Sequence, residues 1–252
     1  MKLFYRTIIG IGILVFLIGV FLFAKKMIVR NRSNMVSVTI RSSDNWELKG
    51  SYYRPLPPIK KAPGLLLLPA FNGDRKSYEK TAPFFQKRGY GVLTIDLRDM
   101  GESRQKGKVS NVPDLKGIDD DVRAAIDFLG AQKAVDNQQI GVLAASTVGD
   151  AAVLAIDHDS RIKGVVLLSG AYDSTAVHLL ESAEFPPALI VASYDDKIAT
   201  KNASLLMGKL QNPKSKVKLF LNAGHGLNMF WSPKGRELGT LVLNWFEKYV
   251  KE

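Results

Sequence analysis

Three short segments of this 252-residue chain carry side chains that could do chemistry together. Leu143-Ala144-Ala145-Ser146-Thr147-Val148-Gly149 holds a serine, Ser193-Tyr194-Asp195-Asp196 holds two carboxylates, and Ala223-Gly224-His225-Gly226 holds a histidine between glycines. A serine hydroxyl is a poor nucleophile until a neighbouring base takes its proton, and that base works best when an acid holds its charged form. The residue types therefore point to acyl chemistry, with Ser146 as nucleophile, His225 as general base and Asp196 or Asp195 as the orienting acid. The other two histidines are less suited: His158 lies in Asp157-His158-Asp159 at a helix end, and His178 lies within a helical stretch. Consecutive residues cannot easily converge on one ion, so Asp157-His158-Asp159 is not read as a metal site. No metal and no cofactor is expected. Cysteine is absent, which removes thiolate nucleophiles, thiolate metal sites and disulfides.

Each of the three segments follows an apolar run of the kind that forms a strand buried on both faces. Such runs occur at residues 64–68, 91–95, 140–145, 164–168, 188–192 and 217–221, and helical patterns separate them at 77–88, 118–132, 147–157, 174–182, 199–210 and 233–251. Continuous apolar strands alternating with helices imply an α/β fold with a mostly parallel, doubly wound sheet. An alternating pattern at 35–43 and 47–53, broken by Ser43-Asp44-Asn45, adds an antiparallel hairpin in front, for about eight strands. All three chemical segments would then emerge at the carboxyl edge of one sheet. Only about 20 residues separate the sixth and seventh strands, so no large cap domain is expected and the site should be open. The acidic run Asp119-Asp120-Asp121 opens the 118–132 helix and is read as complementing its dipole.

From about Met35 to the C-terminus the chain resembles an α/β-hydrolase of the serine-nucleophile branch, similar to dienelactone hydrolases or acyl peptidases. The order serine, acid, histidine is the family's, and strand, turn, helix around Ser146 is the context of its nucleophile elbow. Asp96-Leu97-Arg98-Asp99-Met100-Gly101-Glu102-Ser103 is similar to the family's Asp-x-Arg-Gly-x-Gly-x-Ser stretch. The resemblance implies that Asp196 fills the acid position, with Asp195 as the fallback, and that the backbone amides of Phe71 and Thr147 form the oxyanion hole. The chain departs from Gly-x-Ser-x-Gly at Ala144 and Val148, from Gly-x-x-Asp at Ser193, and from the His-Gly pair before the oxyanion loop at Pro69-Ala70.

The formal charge of +11 is uneven. Lys2, Arg6, Lys25, Lys26, Arg30 and Arg32 place six of those charges in the first 34 residues, and the remaining five are spread without dense clusters, so a nucleic-acid partner is not expected. Residues 7–24 carry no charge and would span roughly 27 Å as a helix, close to a bilayer's apolar thickness. The expected organisation is an N-terminal transmembrane anchor, or a cleaved signal segment with Lys2 and Arg6 as its basic start, at 1–24, a basic linker at 25–34 and an α/β-hydrolase domain at 35–252. The bilayer and a small acyl compound are the expected partners, with the domain facing out of the cytoplasm. The function expected is a membrane-anchored serine hydrolase, the alternative a tethered, catalytically impaired scaffold of the same fold.

Overall fold

The computed structural model describes residues 16–21, 34–71, 73–104 and 116–252. The chain divides into two units, Met1–Val36 and Ser37–Glu252. In the first, residues 16–21 are helical and exposed. The rest of the expected 7–24 span lies outside the described residues, and among those described no helix is long and apolar enough to cross a membrane.

The larger unit is built on an eight-stranded sheet of order β1-β2-β4-β3-β5-β6-β7-β8. Its strands are β1 (Met35–Arg41), β2 (Glu47–Tyr53), β3 (Ala62–Leu68), β4 (Gly91–Ile95), β5 (Val135–Ala145), β6 (Ile162–Leu168), β7 (Ala188–Ser193) and β8 (Lys216–Phe220). β2 meets β4 antiparallel, and every pairing from β4 through β3 to β8 is parallel. The α-helices of this unit are α1 (Thr81–Gln86), α2 (Ile118–Gly130), α3 (Val148–Ile156), α4 (Ser174–Glu181), α5 (Lys197–Leu206) and α6 (Gly235–Phe246).

Strand side chains alternate between two cores, as a period of two requires. Leu66, Leu68, Val142, Ala144, Val165, Leu167, Ile190 and Ala192 point to the face covered by α2, α3, α4 and α5. Leu65, Leu67, Leu143, Ala145, Val166, Leu168, Leu189 and Val191 point to the other, covered by α1 and α6 through Phe85, Leu238, Val242 and Phe246. Leu65 to Leu68 are fully buried, and each such side chain contributes about 1.5–3 kcal/mol relative to exposure. The run is continuous because both faces are covered. The expected 77–88 helix is instead a 3-10 turn at Arg75–Tyr78 followed by α1, whose third residue is Pro83. Proline is tolerated there because the first turn has no intrahelical acceptor for its missing N–H. Between β6 and β7 stands only the eight-residue α4.

Candidate active site

Ser146 immediately follows β5 and is held at φ 59°, in the left-handed region. Its amide donates to the Leu168 carbonyl at the end of β6, 2.8 Å away, so the neighbouring strand imposes the turn. A non-glycine residue there costs about 1–3 kcal/mol and survives only when its surroundings over-determine it. Here they do: α3 begins two residues later, and Val148, its first residue, is buried in the core with Ala144, Ala152 and Val153. The branched side chain that departs from the family pattern is thus absorbed by packing at the start of α3, and the sharp turn at Ser146 persists beside it.

Asp196 follows β7 and divides its carboxylate between two tasks. Oδ1 accepts the Ala199 amide at 3.2 Å and caps α5, while Oδ2 lies 2.6 Å from His225 Nδ1. Nε2 of His225 lies 2.9 Å from Ser146 Oγ. A carboxylate can only accept, so Nδ1 carries the imidazole proton, and Nε2 is left to accept from the serine hydroxyl. The adjacent Asp195 takes no part in this relay. It accepts the Gly224 amide at 3.0 Å through Oδ2 and the Ser193 hydroxyl through Oδ1. The hydrogen bond from Ser193 holds the Asp195 carboxyl below the usual carboxylate range.

The loop carrying His225 is fixed on both sides. Gly224 at φ 80° and Gly226 at φ 54° take left-handed backbone that other residues resist, and this returns the imidazole over the sheet edge. The Ala223 amide donates 2.8 Å to Ser193 Oγ, and the Gly226 amide donates 2.8 Å to Ser169 Oγ. Ser169, at the end of β6, is buried and itself sits at φ 53°. Ser193, which stands where the family has glycine, gives its hydroxyl to this loop. Sequence reasoning missed Ser169 and the second use of Ser193. Neither lies in a motif, and the 57 residues between Ser169 and Gly226 are bridged only by folding. The His225 side chain is 51% exposed, whereas that of Asp196 is 12% exposed, so the imidazole faces solvent and the carboxylate does not.

Phe71 lies in a turn closed by a 2.8 Å bond from the Gly73 amide to the Ala70 carbonyl. Among the described residues neither the Phe71 nor the Thr147 amide donates a hydrogen bond. His158 and His178 lie elsewhere, and no cluster of metal-binding side chains occurs among the described residues.

After β4, the Asp96–Ser103 stretch is a junction of ion pairs. Asp96, fully buried, accepts the Arg75 amide at 2.7 Å and the Glu102 amide at 2.9 Å, and pairs with the Arg75 guanidinium. Ser103 Oγ donates to the Asp96 carbonyl and accepts from the Lys49 amide, tying the stretch to β2. Arg98 bonds Asp121 and Asp44 at 2.7 Å each. The acidic run lies in the first turn of α2, where it complements the dipole, and its members have further partners: Asp119 and Asp120 contact Arg123 on the surface, while Asp121 is fully buried and accepts the Arg98 amide as well as its guanidinium. Asp99, where the family has glycine, sits at φ 58°.

The family model described as alpha/beta hydrolase fold matches residues 63–186. The thiohydrolase aneE of Aspergillus aculeatus is 30% identical over 133 residues, covering 52% of this chain and 40% of that protein. The acyltransferase drtE of Aspergillus calidoustus is 28% identical over 133 residues, covering 52% of this chain and 42% of that protein. The chain spans about two fifths of the length of either of these curated relatives. A dienelactone hydrolase from Anabaena variabilis superposes with a TM-score of 0.69 at 21% identity, over 86% of this chain and 98% of that one. With its eight-stranded sheet and two helical layers, and with the match of that family model, the chain has the α/β-hydrolase fold and is dienelactone-hydrolase-like in fold.

Proposed function

We propose that the protein is a serine hydrolase that cleaves a carboxylic ester or thioester through an acyl-Ser146 intermediate. The observation that carries this reading is the unbroken relay from Ser146 Oγ through His225 to Asp196, at 2.9 and 2.6 Å. In this reading Ser146 Oγ attacks the acyl carbon while His225 Nε2 takes the hydroxyl proton. The imidazolium that forms is stabilised by Asp196, and its proton passes to the departing alkoxide or thiolate. Water then attacks the acyl-serine with His225 again as base, releasing the acid and restoring the hydroxyl. The unengaged amides of Phe71 and Thr147 are the donors available to the developing oxyanion. Thr147 also precedes α3, whose N-terminal dipole favours negative charge beside the serine.

Acyl transfer to an alcohol is the second reading. It shares the acyl-serine and replaces water with an acceptor, and two things support it: one relative is named an acyltransferase, and half of the His225 side chain is open to solvent. A fluorophosphonate probe should label wild-type protein at Ser146 and leave Ser146→Ala unlabelled. Well-folded wild-type protein that resists the probe would reject both catalytic readings in favour of a scaffold. If labelling occurs, a panel of p-nitrophenyl esters and acyl thioesters with and without alcohol acceptors separates hydrolysis from transfer. Anchoring by residues 7–24 belongs to the proposal too, and recovery of the full chain in the salt-washed membrane fraction tests it.

A further inference from the structure

Between α1 and α6 lies a cleft of about 450 Å³, within the size range of small-molecule sites. Phe84, Phe230, Trp231 and Leu243 give it apolar walls, and Trp231, at 59% exposure, is an unusually open indole. Its charged lining is of one sign: Lys80, Arg88 and Arg236, with no carboxylate. None of these three cations has an acidic partner among the described residues, whereas Lys218 and Lys234 nearby both pair with Glu237. Two are instead held against the aromatic walls. The Lys80 ammonium lies 5.0 Å from the Trp231 ring centre, and the Arg88 guanidinium lies 3.5 Å from that of Phe84.

A second observation concerns the floor. Gly239 lines the cleft from within α6, where glycine is unfavourable relative to alanine. A Cβ built on Gly239 meets nothing within 4 Å, so packing does not require its small size, and what the glycine leaves is space in the cleft. Gly235, one turn earlier, differs: a Cβ there would strike the Phe230 carbonyl at 2.0 Å.

We infer that this cleft binds an amphiphile with a single acyl chain and an anionic head, a fatty carboxylate in its simplest form. The aromatic and aliphatic walls take the chain, and Lys80 and Arg236 take the head, the Arg88 guanidinium being already engaged by the Phe84 carbonyl at 3.0 Å. Among the described residues of the lining the only uncharged polar side chains are Thr81 and Thr240, which are too few to read a polar body such as a nucleobase. The inference does not depend on the catalytic reading.

The test is photolabelling of the full chain with a diazirine-bearing decanoate, mapped by mass spectrometry. Label should fall on the peptides carrying Trp231 and Leu243. The neutral decanol analogue should label about tenfold less, since a charge-assisted bond to guanidinium is lost. Gly239→Leu, which fills the floor, should reduce decanoate labelling about tenfold at unchanged Tm. The double variant Lys80→Ala, Arg236→Ala should bring decanoate down towards decanol. Labelling should be the same in Ser146→Ala, which keeps the result independent of catalysis. Equal labelling by decanol, undiminished labelling in Gly239→Leu, or protection by phosphatidylglycerol vesicles where free decanoate gives none would overturn the inference, the last in favour of a bilayer-docking face.

Discussion

Ser146 gains its geometry from its neighbours, because a left-handed serine is unfavourable in isolation and is held here by the Leu168 carbonyl and the start of α3. His225 is set in the same way, by acceptors at the ends of two strands, Ser169 after β6 and Ser193, Asp195 and Asp196 at the end of β7. Replacing Asp196 with Asn should lower ester turnover by roughly 10³ to 10⁴, because an amide favours the wrong imidazole tautomer. Asp195→Asn should lower it far less, since Asp195 holds the Gly224 amide and not the ring. Equal losses on p-nitrophenyl butyrate would reject the division of labour between the two aspartates. Ser169→Ala leaves the Gly226 amide without its buried acceptor and should cut kcat about tenfold with KM unchanged, because the imidazole is misplaced while substrate contacts remain. A rise in KM alone would contradict a positioning role for Ser169.

At the scale of the elements, the turn after β4 decides whether the sheet edge can carry the site. Gly101 sits at φ 50°, and a Cβ there would lie 2.5 Å from the Asp96 carboxylate that anchors Arg75 and the Glu102 amide. Gly208 shares the left-handed backbone at φ 82° but faces open space. Gly101→Ala should therefore destabilise by about 3 kcal/mol or more, combining backbone strain with a broken buried network, and Gly208→Ala by about 1 kcal/mol from strain alone. Urea unfolding of both variants checks the difference, and similar losses would mean that the Asp96 junction yields easily.

For the whole molecule, acid stability rests partly on the clamp that ties the β1–β2 turn to β4 and α2 through Arg98. The hydrogen bond from Ser42, with that from Arg98, holds the Asp44 carboxyl down at about 2, against an ordinary value of 3.8. A folded-state value below the unfolded one means stability that is present above about pH 4 and is lost as pH falls towards 2. Asp44 is 45% exposed, so solvent screening keeps the effect small, within roughly 1 kcal/mol. The difference in urea midpoint between wild type and Asp44→Asn should shrink between pH 5 and pH 2.5. A constant difference would show that the clamp does not titrate in this range.

What the sequence determined by itself is the alternation of strands and helices and the order in which Ser146, Asp196 and His225 leave the sheet. Both are written in local pattern: a strand covered on two faces must be apolar throughout, and glycines must flank a loop that doubles back. The start of α2 and the β2 and β4 spans were legible in such local pattern, whereas α2 ends at Gly130, two residues before the expected 132. The split of the 77–88 region was not read, although Pro83 would be the seventh residue of such a helix, where proline breaks the backbone ladder, and so favours a new start near Thr81. Only the tertiary structure decided which of two adjacent aspartates meets the histidine, that Val148 packs into the core, that Asp121 belongs to Arg98, and that Ser169 and Ser193 brace the histidine loop. These outcomes depend on distances between residues remote in sequence, and such distances exist only once the strands have set their register.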